Sequence, residues 1–105
     1  GDRLPDGPLA AGGRLHERLD YRGWSLVGAA DAGLEAAARL AGAQAVGLGP
    51  LDARLAGRLG LRSRRLLVRP DGYVALSAPR GDVAAPARWR ARWTEDAGAV
   101  TPADG

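Results

Sequence analysis

Two apolar runs, Leu66-Leu67-Val68 and Tyr73-Val74-Ala75-Leu76, are separated by Arg69-Pro70-Asp71-Gly72, and the last three of those residues suit the corners of a tight turn. Pro70 pre-sets the φ of the first corner, Asp71 can bond nearby backbone, and Gly72 can take the positive φ that closes the loop. The stretch predicts a central β-hairpin. Any sheet built on it contains at least one antiparallel pair, because a short turn cannot join parallel neighbours.

The elements before the hairpin follow a different rule. Residues 14–20 predict a short helix with Leu15 and Leu19 on one face, broken by Gly23 ahead of the strand Trp24-Ser25-Leu26-Val27-Gly28-Ala29. Asp31 suits a helix N-cap, Glu35 sits early in that helix, and Leu34, Ala37, Ala38 and Ala41 trace an apolar face that ends at Gly42. A second strand is expected over residues 43–48. Leu51, Leu55 and Leu59, spaced by four and stopped by Gly60, predict another short amphipathic helix. After the hairpin, Pro86 suits a first helical turn, and residues 87–95 continue the helix with Trp89 and Trp93 one turn apart. The order is strand, helix, strand, helix, hairpin, helix. Crossover helices imply parallel early strands, so the sheet should be mixed, with helices on both faces. That is the element order of a thioredoxin-like α/β fold.

The chain's 105 residues give room for one domain and one core. Residues 1–13, with four Gly and two Pro, read as a lead-in or linker, residues 14–96 as the domain, and residues 97–105 as a flexible tail without periodicity. Cysteine is absent, which removes disulfides, thiolate metal sites and thiol-based redox chemistry and leaves any thioredoxin-like fold without a thiol active site. The longest apolar runs fall far short of the ~20 residues of a membrane span, so no membrane partner is expected, and the chain is read as cytoplasmic. All fifteen basic residues are arginine, while Lys, Ile, Asn, Phe and Met are missing. That bias fits a GC-rich, for instance actinobacterial, genome and makes the net charge of +3 a poor argument for a nucleic-acid partner.

Three stretches resemble the C-terminal thioredoxin-like domain of FAD-dependent aromatic hydroxylases, the flavin monooxygenases that act on phenols, aromatic polyketides and rifamycins. They are the opening Gly1-Asp2-Arg3-Leu4-Pro5-Asp6, the pair Arg14-Leu15-His16-Glu17-Arg18-Leu19 and Gly23-Trp24-Ser25-Leu26, and above all Leu67-Val68-Arg69-Pro70-Asp71-Gly72-Tyr73-Val74-Ala75. The likeness spans residues 1–95. An aromatic tends to follow the Val-Ala pair in the family, where this chain has Leu76. The resemblance implies a parent enzyme that reduces FAD with NAD(P)H, forms a flavin hydroperoxide with oxygen, and hydroxylates an aromatic substrate. This domain would carry no catalytic, cofactor-binding or metal-binding residue. It would pack on the flavin-binding catalytic domain of the same protein, supporting it or a homo-oligomer interface. The family's Gly-rich flavin fingerprint has no counterpart here, and Gly81-Asp82 is an isolated pair. The alternative is a free-standing thioredoxin-like module that binds a protein partner, with no flavin enzyme attached. The first nine residues also resemble the start of peroxiredoxins, whose chemistry the missing cysteine excludes.

The remaining chemistry-bearing residues read as structural. His16 is the only histidine, so with no cysteine it cannot assemble a metal site, and it is expected at a surface or helix end. In Arg88-Trp89-Arg90-Ala91-Arg92-Trp93 the helical spacing sends Trp89 and Trp93 to the sheet and Arg88 and Arg92 to solvent, although interleaved Arg and Trp can also bind phosphates and stack on bases, or sit in a membrane interface. Arg62, Arg64, Arg65 and Arg69 cluster around the hairpin, where they predict a solvated strand end, a charged contact with the catalytic domain or, third, nucleic-acid binding. Ser25, Ser63 and Ser77 lack a nucleophile elbow, and Glu95-Asp96 are adjacent in sequence rather than opposed across a cleft.

Overall fold

The structure, a computed structural model, describes residues 2–100, with side chains through Trp93. Its centre is β1 (Trp24–Ala29), flanked by β2 (Ala43–Leu48) on one side and by β3 (Arg64–Val68) and then β4 (Val74–Pro79) on the other. β1 and β2 run parallel, from Trp24 beside Ala43 to Ala29 beside Leu48. β3 lies antiparallel to β1, with Leu26 opposite Leu67, and antiparallel to β4. The sheet is therefore mixed, and the molecule is a thioredoxin-like α/β domain.

Strand alternation divides the core in two. Val27, Val46, Leu48, Leu66 and Val68 face one way, against Leu4, Leu15 and Leu19 and against Leu55 and Ala56 of α2 (Ala53–Arg58). Trp24, Leu26 and Leu67 face the other way, against Leu34, Ala37 and Ala38 of α1 (Ala32–Ala41) and Trp89 of α3 (Ala85–Val100). Helices thus cover both faces. Register shifts once in β4: Leu67 stays opposite Leu76, but Val68 meets Val74, so Ala75 is an extra residue. This bulge lets Val74 join one core while Ala75 and Leu76 join the other.

Local chemistry sets the boundaries. The Asp31 carboxylate accepts the Leu34 N–H at 2.7 Å to start α1. Gly42 closes that helix at φ 66°, returning its N–H to the Ala38 and Arg39 carbonyls. In the hairpin the Gly72 N–H reaches the Arg69 carbonyl at 2.9 Å with φ 87° at Gly72, the turn that Pro70-Asp71-Gly72 predicts.

Several boundaries differ from expectation. The helix predicted over residues 14–20 is a single 3-10 turn, Leu15–Arg18. Pro50–Asp52 forms another 3-10 turn ahead of α2, which shifts the helical phase. Leu51 consequently leaves the Leu55 face and stands 87% exposed. α3 continues to Val100, past the end expected near Glu95 and into the segment read as a tail; residues 101–105 of that segment lie outside the described residues. The segment before Arg14 is tied to the hairpin. Leu4 donates its N–H to the Gly72 carbonyl at 2.9 Å, Val74 donates to the Asp2 carbonyl at 2.8 Å, and the Leu4 side chain is 1% exposed.

Candidate functional site

The chain leaves β1 for α1 on one face of the sheet and leaves β2 for α2 on the other. Diverging connections of this kind open a crevice beyond the carboxyl ends of the strands, the usual ligand position in α/β sheets. The crevice is a cleft of about 290 Å³ between Ala29-Ala30 and Leu48-Gly49-Pro50, closed by Ala53, Ala56 and Leu61 and edged by Arg62 and Arg80.

At its β1 side an ion network fills the start of α1. Asp31 Oδ1 receives Arg65 Nη2 at 3.2 Å, and Oδ2 receives Arg80 Nη2 at 2.7 Å and Nε at 3.1 Å. Arg80 also donates to the Arg62 carbonyl at 3.2 Å. The Leu34 N–H first, and then Arg80, hold the Asp31 carboxyl below its ordinary value. Arg65 is 3% exposed, contrary to the solvated strand end expected for its cluster. Alternation explains the burial, since Arg65 shares a face with Leu67. Room for it comes from glycine: a Cβ on Gly33 would stand 2.6 Å from Arg65 Nη2, and one on Gly28 would stand 3.0 Å from its Cγ. Arg65 Nε and Nη1 are buried without a hydrogen-bond partner, so the network holds more donors than acceptors.

The opposite end of the sheet carries an aromatic cluster. Trp24 meets Trp89 edge-on at 5.9 Å and Trp93 at 5.5 Å, and Trp89 and Trp93 stack at 6.3 Å. Trp89 joins the core as expected, whereas Trp93 is 47% exposed. It borders a groove shared with Trp24 and with Arg69, Pro70 and Asp71 of the hairpin, and Arg69 lies over the Tyr73 ring at 5.6 Å. Arg90 holds α3 to α1, donating to the Ala41 carbonyl at 2.6 Å while its guanidinium lies 5.1 Å from the Trp24 ring.

No protein family, curated protein or solved structure compared with the chain matches it.

The other singled-out residues go to separate tasks. Arg64 binds Ser77 Oγ at 2.5 Å and Arg69 pairs with Asp71, so these two hairpin arginines have separate partners, and on α3 Arg88 pairs with Asp82 at 2.7 Å. His16 Nε2 lies 2.5 Å from the Leu4 carbonyl and pins the first residues to the 3-10 turn. Ser25 is buried and accepts the Asp20 N–H at 2.9 Å. Among the described residues, no group of three or more acidic or histidine side chains could hold a metal ion, and no helix is long and apolar enough to cross a membrane.

The β1–α1 turn does not fit the pyrophosphate of a dinucleotide. The β1–α1 turn reads Ala29-Ala30-Asp31-Ala32-Gly33, without the close-approach glycines of a dinucleotide fingerprint. It presents a carboxylate where a diphosphate would need bare N–H groups. Asp82 of the Gly81-Asp82 pair is engaged by Arg88. The network that does form was missed by sequence reasoning. Its one signal was an arginine on the inward alternation of a strand.

Proposed function

We propose that this chain is a thioredoxin-like domain without thiol chemistry, acting as a structural and interface module of an FAD-dependent aromatic monooxygenase. The observation that carries the reading is the state of the β1–α1 junction. A helix N-terminus is where such folds activate a thiolate, and here that place holds Asp31, tied to Arg65 and Arg80. A carboxylate fixed by two guanidiniums braces the junction and offers no nucleophile. The hairpin sequence Leu67–Ala75 supports the family assignment, and FAD and NAD(P)H would belong to the catalytic part of the parent protein, in the cytoplasm.

The half-exposed Trp93, beside Trp24 and the hairpin, supports an interface role, since aromatic side chains and arginine are enriched where proteins meet. The deciding experiment is to capture the native protein from its source with an antibody to this chain and to record its intact mass together with its visible absorption. A mass far above that of the 105 residues, together with a flavin spectrum, is the expected result. A mass equal to the chain's own and no flavin would replace the reading with a free-standing binding module.

A further inference from the structure

The cleft at the carboxyl ends of β1 and β2 has a composition that the structural role leaves unused. Its walls are apolar: Leu48 and Leu61 are buried beneath it, and Ala29, Ala30, Pro50 and Ala56 complete them. Its rim is cationic. Arg62 and Arg80 edge it, and among the described residues only Arg80 of the two has a carboxylate partner, Asp31. Arg62 is exposed, makes none of the ion pairs found among the described residues, and lies along α2 near Gly57. An apolar floor under an excess of guanidinium matches a ligand with the opposite arrangement, an apolar body ending in one carboxylate, because guanidinium pairs with carboxylate in a two-pronged geometry. A volume of about 290 Å³ stands at the bottom of the usual range for ligand pockets, so the body is small, of the size of a single ring. An inorganic anion would leave the apolar walls unused.

We propose that this cleft binds a small organic monocarboxylate, its apolar part on Leu48, Ala56 and Leu61 and its carboxylate at Arg62 and Arg80. Binding here does not depend on the flavin reading and would hold for a free-standing module as well.

The test is an amide-resolved NMR titration of the ¹⁵N-labelled chain at low salt, with benzoate as the probe and with benzamide and inorganic phosphate as comparators. Benzoate should shift the amides of Ala30, Gly49, Ala53 and Arg62 saturably, while benzamide, its uncharged isostere, and phosphate leave them in place. Arg62→Gln changes only an exposed side chain and should weaken benzoate binding about tenfold. Ala53→Phe, at the exposed rim, should fill the cleft and abolish binding. The proposal is overturned if benzoate produces no saturable shift at these amides, if benzamide or phosphate titrates them equally, or if Arg62→Gln binds like the parent chain. Should Ala53→Phe fail to fold, the Arg62→Gln comparison still decides.

Discussion

Asp31 joins three jobs in one side chain: it caps α1, neutralises a buried arginine and receives Arg80 from the end of β4. Its value as a cap was legible in the sequence, because capping depends only on the next three residues. Its partners were not. Arg65 and Arg80 lie 34 and 49 positions away, and only the antiparallel packing of β3 and β4 brings them back to the start of α1. Removing the carboxylate leaves Arg65 charged and buried, so Asp31→Ala should cost about 3 kcal/mol in urea unfolding. Adding Arg65→Met removes the stranded charge, and the double variant should be more stable than Asp31→Ala alone. A double variant no better than the single one would show that the cap, and not the ion pair, is what matters.

Helical spacing put Trp89 and Trp93 on one face of α3, and the structure keeps that face while dividing its burial. Trp89 packs against the core cluster, as Leu76 and Val83 do, but Trp93 reaches Trp24, the first residue of β1, and remains half in water. Spacing reports direction around a helix and is silent on how far the neighbouring sheet extends. The same limit explains Leu51, whose interval of four from Leu55 was broken by a 3-10 turn. Thermal or urea unfolding should therefore separate the two tryptophans. Trp89→Ala is expected to lose about 2 kcal/mol, and Trp93→Ala under about 1 kcal/mol. Equal losses would mean that Trp93 is as buried as Trp89. If the module reading holds, Trp93→Ala is also the variant that should weaken association with the catalytic part while leaving the fold intact.

Across the molecule, two carboxylates tie segments together and contribute to its response to acid. Asp6 accepts from Arg14 at 2.8 Å and from the His16 N–H at 3.0 Å. Arg14 first and then the His16 amide lower its carboxyl from 3.8 to about 2, and Asp31 is lowered as well. Both groups bind protons more weakly folded than unfolded. Their contribution is therefore complete above the ordinary carboxylate value and is lost as the pH falls through the folded one. Unfolding in urea, an uncharged denaturant, should show steady stability from pH 7 to near 4.5 and a decline between there and pH 2. Asp6→Asn should flatten part of that decline; an unchanged acid limb would contradict the assignment. At this scale the order of elements and the two-faced core followed from periodicity together with the turn and cap residues. The attachment of residues 2–4 to the hairpin did not, since three residues are too few to show a period.

That attachment has a consequence during synthesis. Leu4 and the Gly72 carbonyl that holds it emerge from the ribosome at very different times, separated by on the order of five to ten seconds at ordinary elongation rates. Throughout that interval the first residues have no hairpin to bind, and Leu4 and Leu15 wait for Val68 to complete their core cluster. Chaperones meeting the nascent chain would find this leucine long before the hairpin does, and its docking must wait for the hairpin.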